Sequence, residues 1–191
     1  MNSTHINTGS THHTLTVLCP GRIELTQDDP AWGTYWTRYN ATLGVCTNLE
    51  SAMAIAERSI AQPPLTLIRV PEAHDFDPQR IVITDSERRR VLAGALTRYL
   101  VWLPPVTSDD ETQTLAATAK RLREEASEER GWDNYSTAEG LEHRAEFLED
   151  HLVDPVWQAE VTHMVKLRYK SRQGLARRHP GTPKDYMDDF D

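Results

Sequence analysis

TDSERRRVLAGALTRYLVWL, residues 84–103, is the stretch from which the fold of this chain is predicted. Its apolar residues recur at intervals of three and four over positions 92–103, which is the spacing of a helix. Thr84 and Glu87 match a capping box, and Pro104 follows the last apolar residue. Because apolar residues also occupy the other faces, we expect a central helix covered by other elements. The apolar run is shorter than the roughly 20 residues that cross a bilayer, so no membrane partner is expected.

Further capping boxes and Asp-Pro pairs predict more helices along the chain. Each of these signals supplies an acceptor for backbone N–H groups that the first helical turn leaves unpaired. The predicted helices lie at 30–43, 48–61, 108–130, 137–152 and 155–178.

Stretches rich in β-branched residues predict a small sheet beside these helices. Residues 14–25, 65–70 and 80–84 have this composition, and Pro20-Gly21 is expected to interrupt the first of them. The predicted fold class is α+β and predominantly helical. It has about six helices around the central helix at 84–103 and a sheet of two to four strands.

The predicted domain organisation is one globular domain between two tails. Residues 1–14 have the composition of a flexible tail and none of the features of a secretory signal peptide, so a cytoplasmic location is expected. The domain covers 15–178, with a mixed α/β core at 15–107 and a helical unit at 108–178. An acidic tail follows at 179–191. Two cysteines in 191 residues predict free thiols in a reducing compartment.

Charge is unevenly distributed along this acidic chain, whose formal net charge is −8. The block 108–154 contains 14 acidic and 5 basic residues, whereas 155–178 contains 6 basic residues and 1 acidic residue. Such neighbouring blocks either attract each other within the fold or form separate surfaces for two partners.

Aromatic residues are concentrated where the first helix is predicted. At the spacing of a helix they would share one face, where they could pack onto the central helix or anchor a partner, because Trp and Tyr dominate interface hot spots. The acidic tail, which has the composition of a docking peptide, adds two more aromatic residues. The predicted partner-binding residues are Trp32, Tyr35, Trp36, Tyr39, Tyr186 and Phe190.

Two basic clusters are candidates for contact with an anion or with nucleic acid. One lies in the first turn of the predicted central helix, where positive charge opposes the helix dipole unless an anion binds. The other is the run 166–178, whose positive charges suit a phosphate backbone or an acidic protein surface. The residues are Arg88, Arg89, Arg90, Lys166, Arg168, Lys170, Arg172, Arg177 and Arg178.

Glutamate and histidine residues near the end of the chain are candidate metal ligands. Glu160 and His163 have the Glu-x-x-His spacing of di-iron helices, and further Glu and His residues precede them. A carboxylate-bridged site needs a second Glu-x-x-His, which the sequence lacks. It also lacks a P-loop and a dinucleotide fingerprint. We therefore predict no metal, no cofactor and no catalytic residues.

These features favour a non-enzymatic protein-interaction or assembly protein, such as an adaptor, an inhibitor or a structural subunit of a larger complex. Its partner would be another protein of unknown identity. A nucleic-acid-binding accessory protein that uses the basic helix 166–178 is the first alternative. A metal-dependent enzyme that uses Glu and His residues of the helices in 137–165 is the second.

Overall fold

The computed structural model describes residues 14–26, 33–61, 73–96 and 100–178. These residues form four helices and a six-stranded antiparallel sheet. The chain is α+β, but the prediction of about six helices with a small sheet is wrong. The elements are β1 (Leu15–Thr26), β2 (Thr34–Cys46), α1 (Leu49–Ala61), β3 (Ala73–Pro78), β4 (Arg80–Thr84), β5 (Arg90–Leu96), β6 (Leu100–Trp102), α2 (Asp109–Gly131), α3 (Tyr135–Asp150) and α4 (Gln158–Arg178).

The chain divides into two compact units, Met1–Val101 and Trp102–Asp191. The first contains β1 to β5 with α1, and the second contains α2 to α4; β6 has residues in both. The sheet order is β2-β1-β4-β5-β6, with β3 also paired to β1. Both predicted tails and the predicted strand at 65–70 lie outside the described residues, apart from Thr14.

The predicted central helix at 84–103 is instead part of the sheet. Its residues end β4, turn, and form β5 and β6. Val91, Leu92 and Ala93 are consecutive and all buried, so both faces of β5 are covered. A strand buried on both faces is a continuous apolar run, and periodicity alone does not distinguish it from a buried helix.

A hairpin turn around Asp85 replaces the predicted helix start. The Arg88 N–H donates to the Asp85 carbonyl at 3.0 Å, and the Asp85 N–H donates to the Arg89 carbonyl at 3.1 Å. Arg88 has a positive φ of 62°, which completes a three-residue hairpin loop. Polar side chains that accept hydrogen bonds from nearby backbone N–H groups are typical of turns and of helix caps alike. The turn sequence TDSE, residues 84–87, therefore resembles a capping box.

The predicted helix at 30–43 is also wrong, because residues 34–46 form strand β2. β2 pairs with β1 in antiparallel register from Thr34 opposite Thr26 to Cys46 opposite Leu15. Its sequence, TYWTRYNATLGVC, is rich in Thr and aromatic residues, which fit a half-buried pleated surface. That composition, rather than the helix-like spacing of the aromatic residues, was the correct signal.

Strand β1 continues through Pro20-Gly21, where an interruption was predicted. Proline cannot donate to a neighbouring strand, so it is tolerated where pairing is irregular. That condition holds here, because β1 pairs with β4 before Pro20 and with β3 after it. Between those strands, the Gln79 N–H donates to the Pro20 carbonyl at 2.9 Å.

Gly21 allows β3, its antiparallel neighbour, to approach β1 closely. A Cβ built at Gly21 would lie 2.4 Å from the Asp77 carbonyl oxygen and 2.7 Å from the Phe76 ring. Gly21→Ala should therefore lower the free energy of unfolding by about 1–3 kcal/mol, the usual cost of overpacking. Urea denaturation would measure the loss. Gly140→Ala, a helical site with nothing within 4 Å of the added Cβ, is the control and should not destabilise the chain. Equal stability of the two variants would contradict the close approach.

Helix α1 confirms the helix predicted at 48–61 and covers one face of the β1–β2 pair. Asn48 caps it, because its Oδ1 accepts the Ser51 N–H at 2.8 Å. Leu49, Met53 and Ala56 are fully buried. The covered face of β1 carries alternate buried residues, which are Leu15, Val17, Cys19, Gly21 and Ile23.

The second unit confirms helices close to those predicted at 108–130, 137–152 and 155–178. Helices α2 and α3 form an antiparallel hairpin around the buried residues Ala119, Leu122 and Ala145. Helix α4 begins at Gln158, because Asp154 and Pro155 form a turn in which the Asp154 carboxylate accepts the Val156 N–H at 3.0 Å.

Candidate protein-interaction site

Strand β2 forms one end of the sheet and, among the described strands, pairs only with β1. An edge strand directs alternate N–H and C=O groups away from its neighbour, where another extended chain can bind them. Natural edges are usually protected by lysine, proline or inward charges. Of the 13 residues of β2, only Arg38 is charged, and the strand contains no lysine or proline. β2 is therefore a long edge with little protection against pairing.

The predicted aromatic residues of β2 lie on both faces of the sheet rather than on one helix face. Side chains alternate along a strand, so Trp36 lies on one face and Tyr35 and Tyr39 on the other. Trp36 and Tyr35 are each 44% exposed, which leaves an aromatic surface on either side of the edge. Three of the predicted partner-binding residues, Trp32, Tyr186 and Phe190, lie outside the described residues.

The Trp36 ring lies against the Arg22 side chain of the neighbouring strand. The Arg22 guanidinium lies 5.6 Å from the ring centroid, within the range of a cation–π interaction. The same guanidinium donates to the Asp77 carboxylate at 3.0 Å. Strand β3 thus contacts Arg22 through Asp77, and Arg22 in turn contacts the Trp36 ring.

Tyr39 is part of the packing rather than of the exposed surface. Its ring meets Phe76 edge to face, with the centroids 6.2 Å apart and the planes at 85°. Tyr39 pairs with Gly21 in the register, and Phe76 occupies the space that the missing Gly21 side chain leaves. Tyr39 therefore stabilises the sheet. Of the three predicted partner-binding residues that the structure describes, only Tyr35 and Trp36 are exposed.

The first basic cluster does not lie at a helix N-terminus. Arg88, Arg89 and Arg90 surround the hairpin turn, and the Arg89 guanidinium binds the Asp85 carboxylate at 2.7 Å and the Glu87 carboxylate at 3.3 Å. The dipole argument for an anion site at these residues is therefore wrong.

The second basic cluster lies on α4. Lys166 and Lys170 are exposed, whereas Arg168 is half-buried. The side chains of Arg172, Arg177 and Arg178 are outside the described part of the structure, although the helix itself extends to Arg178.

Two acidic residues of α3, which precede Glu160 and His163 in the sequence, join that helix to α2. Glu149 binds Arg123 through two hydrogen bonds of 2.7 Å, which raise the pKa of that arginine further. Glu142 binds Arg130 in the same way, at 2.9 and 3.0 Å.

Glu146 is half-buried on α3, and on α4 Glu160 and His163 are exposed. His151 lies within hydrogen-bond distance of the Phe147 carbonyl, with its Nδ1 3.0 Å from that oxygen. Across the described ranges no three His, Cys, Asp or Glu side chains cluster in a way that could hold a metal ion.

The two cysteines are free, as predicted for a chain without disulfides. Burial raises the pKa of the Cys19 thiol to about 12, so it stays protonated and unreactive at neutral pH. Cys46 is half-buried, and its Sγ contacts the Asn48 carbonyl at 3.5 Å. The buried thiol thus has a packing role in the covered face of β1.

A shallow groove of about 440 Å³ runs along the second unit beside α2. Its charged walls are paired internally, because Arg123 binds Glu149 and Lys120 lies 3.8 Å from Glu124. Its apolar floor consists mainly of Ala116, Ala119 and Leu152. The groove therefore directs little unpaired charge toward a ligand.

The turn between α2 and α3 carries exposed aromatic residues that the sequence analysis missed. Trp132 is 84% exposed and Tyr135 is 55% exposed. In the sequence Gly131 indicates the end of the helix predicted at 108–130, and the single Trp after it belongs to no periodic pattern. The adjoining Asp133-Asn134, typical of turns, was the available signal that this Trp would project from a loop.

Comparison with protein-family models, curated proteins and solved structures found no match to this chain. Within the described part of the chain, every helix is too short or too polar to span a lipid bilayer.

Proposed function

We propose that this chain is a non-enzymatic interaction or assembly protein that binds an extended segment of a partner protein along strand β2. The observation that carries this proposal is the 13-residue edge strand with a single charged residue and two exposed aromatic side chains. An adaptor, an inhibitor or a structural subunit would each use such a surface.

Strand addition explains the features of β2 together. An incoming strand would bind the outward N–H and C=O groups of the edge, which supplies affinity independent of sequence. Specificity would come from side chains beside that strand, where aromatic and β-branched pairs are favourable. Trp36 on one face and Tyr35 on the other would contact alternate residues of the partner segment.

Trp36 is the residue most suited to anchor the partner. Its ring is already oriented by Arg22, so binding would cost little further conformational entropy. Its exposed 44% would be buried beneath the partner strand. Tryptophan residues in such positions commonly contribute about 2 kcal/mol or more to an interface.

The test is crosslinking capture of partners from the source cells at about 0.5 M salt, where exposed ion pairs are strongly screened. The wild-type chain should retain a partner in stoichiometric amount. Trp36→Ala should weaken binding of that partner by about thirtyfold, equivalent to about 2 kcal/mol. Thr42→Lys, at an exposed position of the same strand, should weaken it independently by protecting the edge.

Charge reversal of Lys166 and Lys170 is the matched control, because both are exposed on α4 in the other unit. It should leave capture of the partner intact. Circular dichroism and thermal unfolding must show that each variant folds. If the folded Trp36→Ala and Thr42→Lys variants capture the partner normally while the α4 reversal loses it, the edge-strand proposal is refuted and the basic helix is the binding surface.

A further inference from the structure

Trp132 is the most exposed large apolar side chain identified in the described chain, at 84%. Its position at the α2–α3 turn contributes little burial to the fold. The turn is nevertheless well ordered by hydrogen bonds, so Trp132 is presented at a defined place. An exposed aromatic side chain on an ordered turn is the arrangement that a binding anchor needs.

Backbone hydrogen bonds fix the turn. The Trp132 N–H donates to the Glu129 carbonyl at 3.1 Å, and the Asn134 N–H donates to the same carbonyl at 2.9 Å. The Asp133 N–H donates to the Arg130 carbonyl at 3.1 Å. Asp133 has a positive φ of 59°, a conformation that a non-glycine residue rarely adopts.

Side-chain bonds brace the same turn on both sides of Trp132. Asn134 Nδ2 donates to the Glu129 carboxylate at 2.6 Å, and the Tyr135 hydroxyl donates to the Asp133 carboxylate at 3.2 Å. Arg130, just before the turn, is held on Glu142 of α3. The backbone that carries Trp132 is therefore held by side-chain hydrogen bonds as well as by backbone ones.

The charge around Trp132 indicates the class of partner. Residues 124–142 contain seven acidic residues and one basic residue, and that basic residue, Arg130, is paired with Glu142. Glu128, Asp133 and Glu139 are exposed. This surface repels nucleic acid and anionic lipid, both of which need positive charge on the protein. A basic protein segment has the complementary charge.

We infer that the α2–α3 turn is a second interaction surface, on which an arginine side chain of a basic protein segment stacks on Trp132. The guanidinium would lie on the indole face, where the ring quadrupole attracts a cation. Neighbouring cations of the segment would face Glu128, Asp133 and Glu139. Strand β2 belongs to the first unit and this turn to the second. The inference therefore goes beyond the proposed function and does not depend on it.

The experiment titrates the full chain with a short fluorescein-labelled peptide in which arginine and glycine alternate. Fluorescence anisotropy gives the dissociation constant, and the Trp132 indole N–H resonance reports the site. That resonance is assigned by its loss in Trp132→Ala. We expect the peptide to shift it, and Trp132→Ala to weaken binding about tenfold. Trp132→Phe should restore part of the affinity, because its ring face attracts a cation less strongly.

Two controls separate this surface from others. A peptide with glutamine in place of arginine should leave the Trp132 resonance unmoved, because it lacks the cation. Val156→Ala, which truncates a 69% exposed apolar side chain in the turn before α4, should bind the arginine peptide as the wild type does. Binding of the arginine peptide by Trp132→Ala within twofold of the wild type would overturn the inference, as would an equal response to the glutamine peptide.

Discussion

Trp102→Ala is expected to lower the free energy of unfolding by about 3–5 kcal/mol, the usual cost of truncating a buried tryptophan. The Trp102 side chain is fully buried, at 0% exposure, and is among the largest side chains of the core. Its removal forfeits the transfer free energy of the indole and leaves a cavity. That loss is a large fraction of the about 5–15 kcal/mol by which a domain is typically stable.

Trp132→Ala provides the matched control, because it deletes the same side chain from an 84% exposed position. It should change stability by no more than about 0.5 kcal/mol. Urea denaturation followed by circular dichroism measures both variants, with comparable m-values required for the comparison. A loss below about 1 kcal/mol for Trp102→Ala would show that its site is far less closely packed than its burial indicates.

Asp85→Ala is expected to cost about 3 kcal/mol at neutral pH. The Asp85 carboxylate accepts the backbone N–H groups of Glu87 and Arg89, both at 2.9 Å, and binds the Arg89 guanidinium at 2.7 Å. Removal of one partner of a buried ion pair generally costs about 3–5 kcal/mol. The lower end applies here, because Arg89 is 36% exposed and water can solvate part of its charge.

The same carboxylate should make stability depend on pH in the acid range. Burial alone raises the pKa of Asp85, but the hydrogen bonds from Arg89 and Glu87 and the charge of Arg89 outweigh it and lower the pKa below its ordinary 3.8. Because its pKa is lower in the folded chain, the carboxylate binds a proton less readily there than in the unfolded chain. The contribution of Asp85 is therefore complete above about pH 4 and is lost as pH falls through the lower folded pKa.

Denaturant unfolding of the wild type and of Asp85→Asn over a pH series tests this dependence. The stability difference between them should be largest at neutral pH and should shrink in acid. Protonation removes the charge of Asp85, and asparagine has no charge at any pH. Ser86→Ala, an exposed change in the same loop, is the control and should follow the wild type at every pH. A difference that stays constant down to the acid limit would contradict a role for the carboxylate charge.

The helices were largely predictable because their signals are local. Leu115, Ala119, Leu122 and Ala126 mark the inner face of α2, and Gly131 ends that helix. Each of α1 to α4 has an apolar stripe with a polar face, which only helical periodicity explains. The cap residues were less accurately predicted. The sequence contains the capping-box patterns Thr47–Glu50 and Ser136–Glu139. Asn48 caps α1 instead, and α3 follows Asn134.

Strand β5 shows why the centre of the fold was mistaken. Its apolar residues are covered on both faces, so the alternation that identifies a strand is absent. The turn before it offered no glycine or asparagine at the positive-φ position, which Arg88 occupies. Asp85 compensates by binding the loop N–H groups and Arg89. A hairpin stabilised by an acidic side chain is hard to distinguish locally from a capped helix.

The candidate site was predicted in part. The concentration of aromatic residues indicated the segment that contains Tyr35 and Trp36. Helical spacing, however, predicted that both would share one face with Tyr39. The strand instead separates Trp36 from the two tyrosines and packs Tyr39 against Phe76. Phe76 lies between the stretches 65–70 and 80–84, where polar residues and two prolines predict a loop. No local pattern therefore links the two rings.

The sequence by itself determined the α+β class, the positions of α1 to α4 and the uneven charge of the second unit, since apolar periodicity and charge are properties of neighbouring residues. Only the tertiary structure decided that 84–103 is strand, that Gly21 accommodates Phe76, and that β2 forms one end of the described sheet. Strand identity depends on which residues lie opposite one another, and those residues are distant in the chain. A strand becomes an edge through the pairing of the other strands, a property that its own residues do not carry.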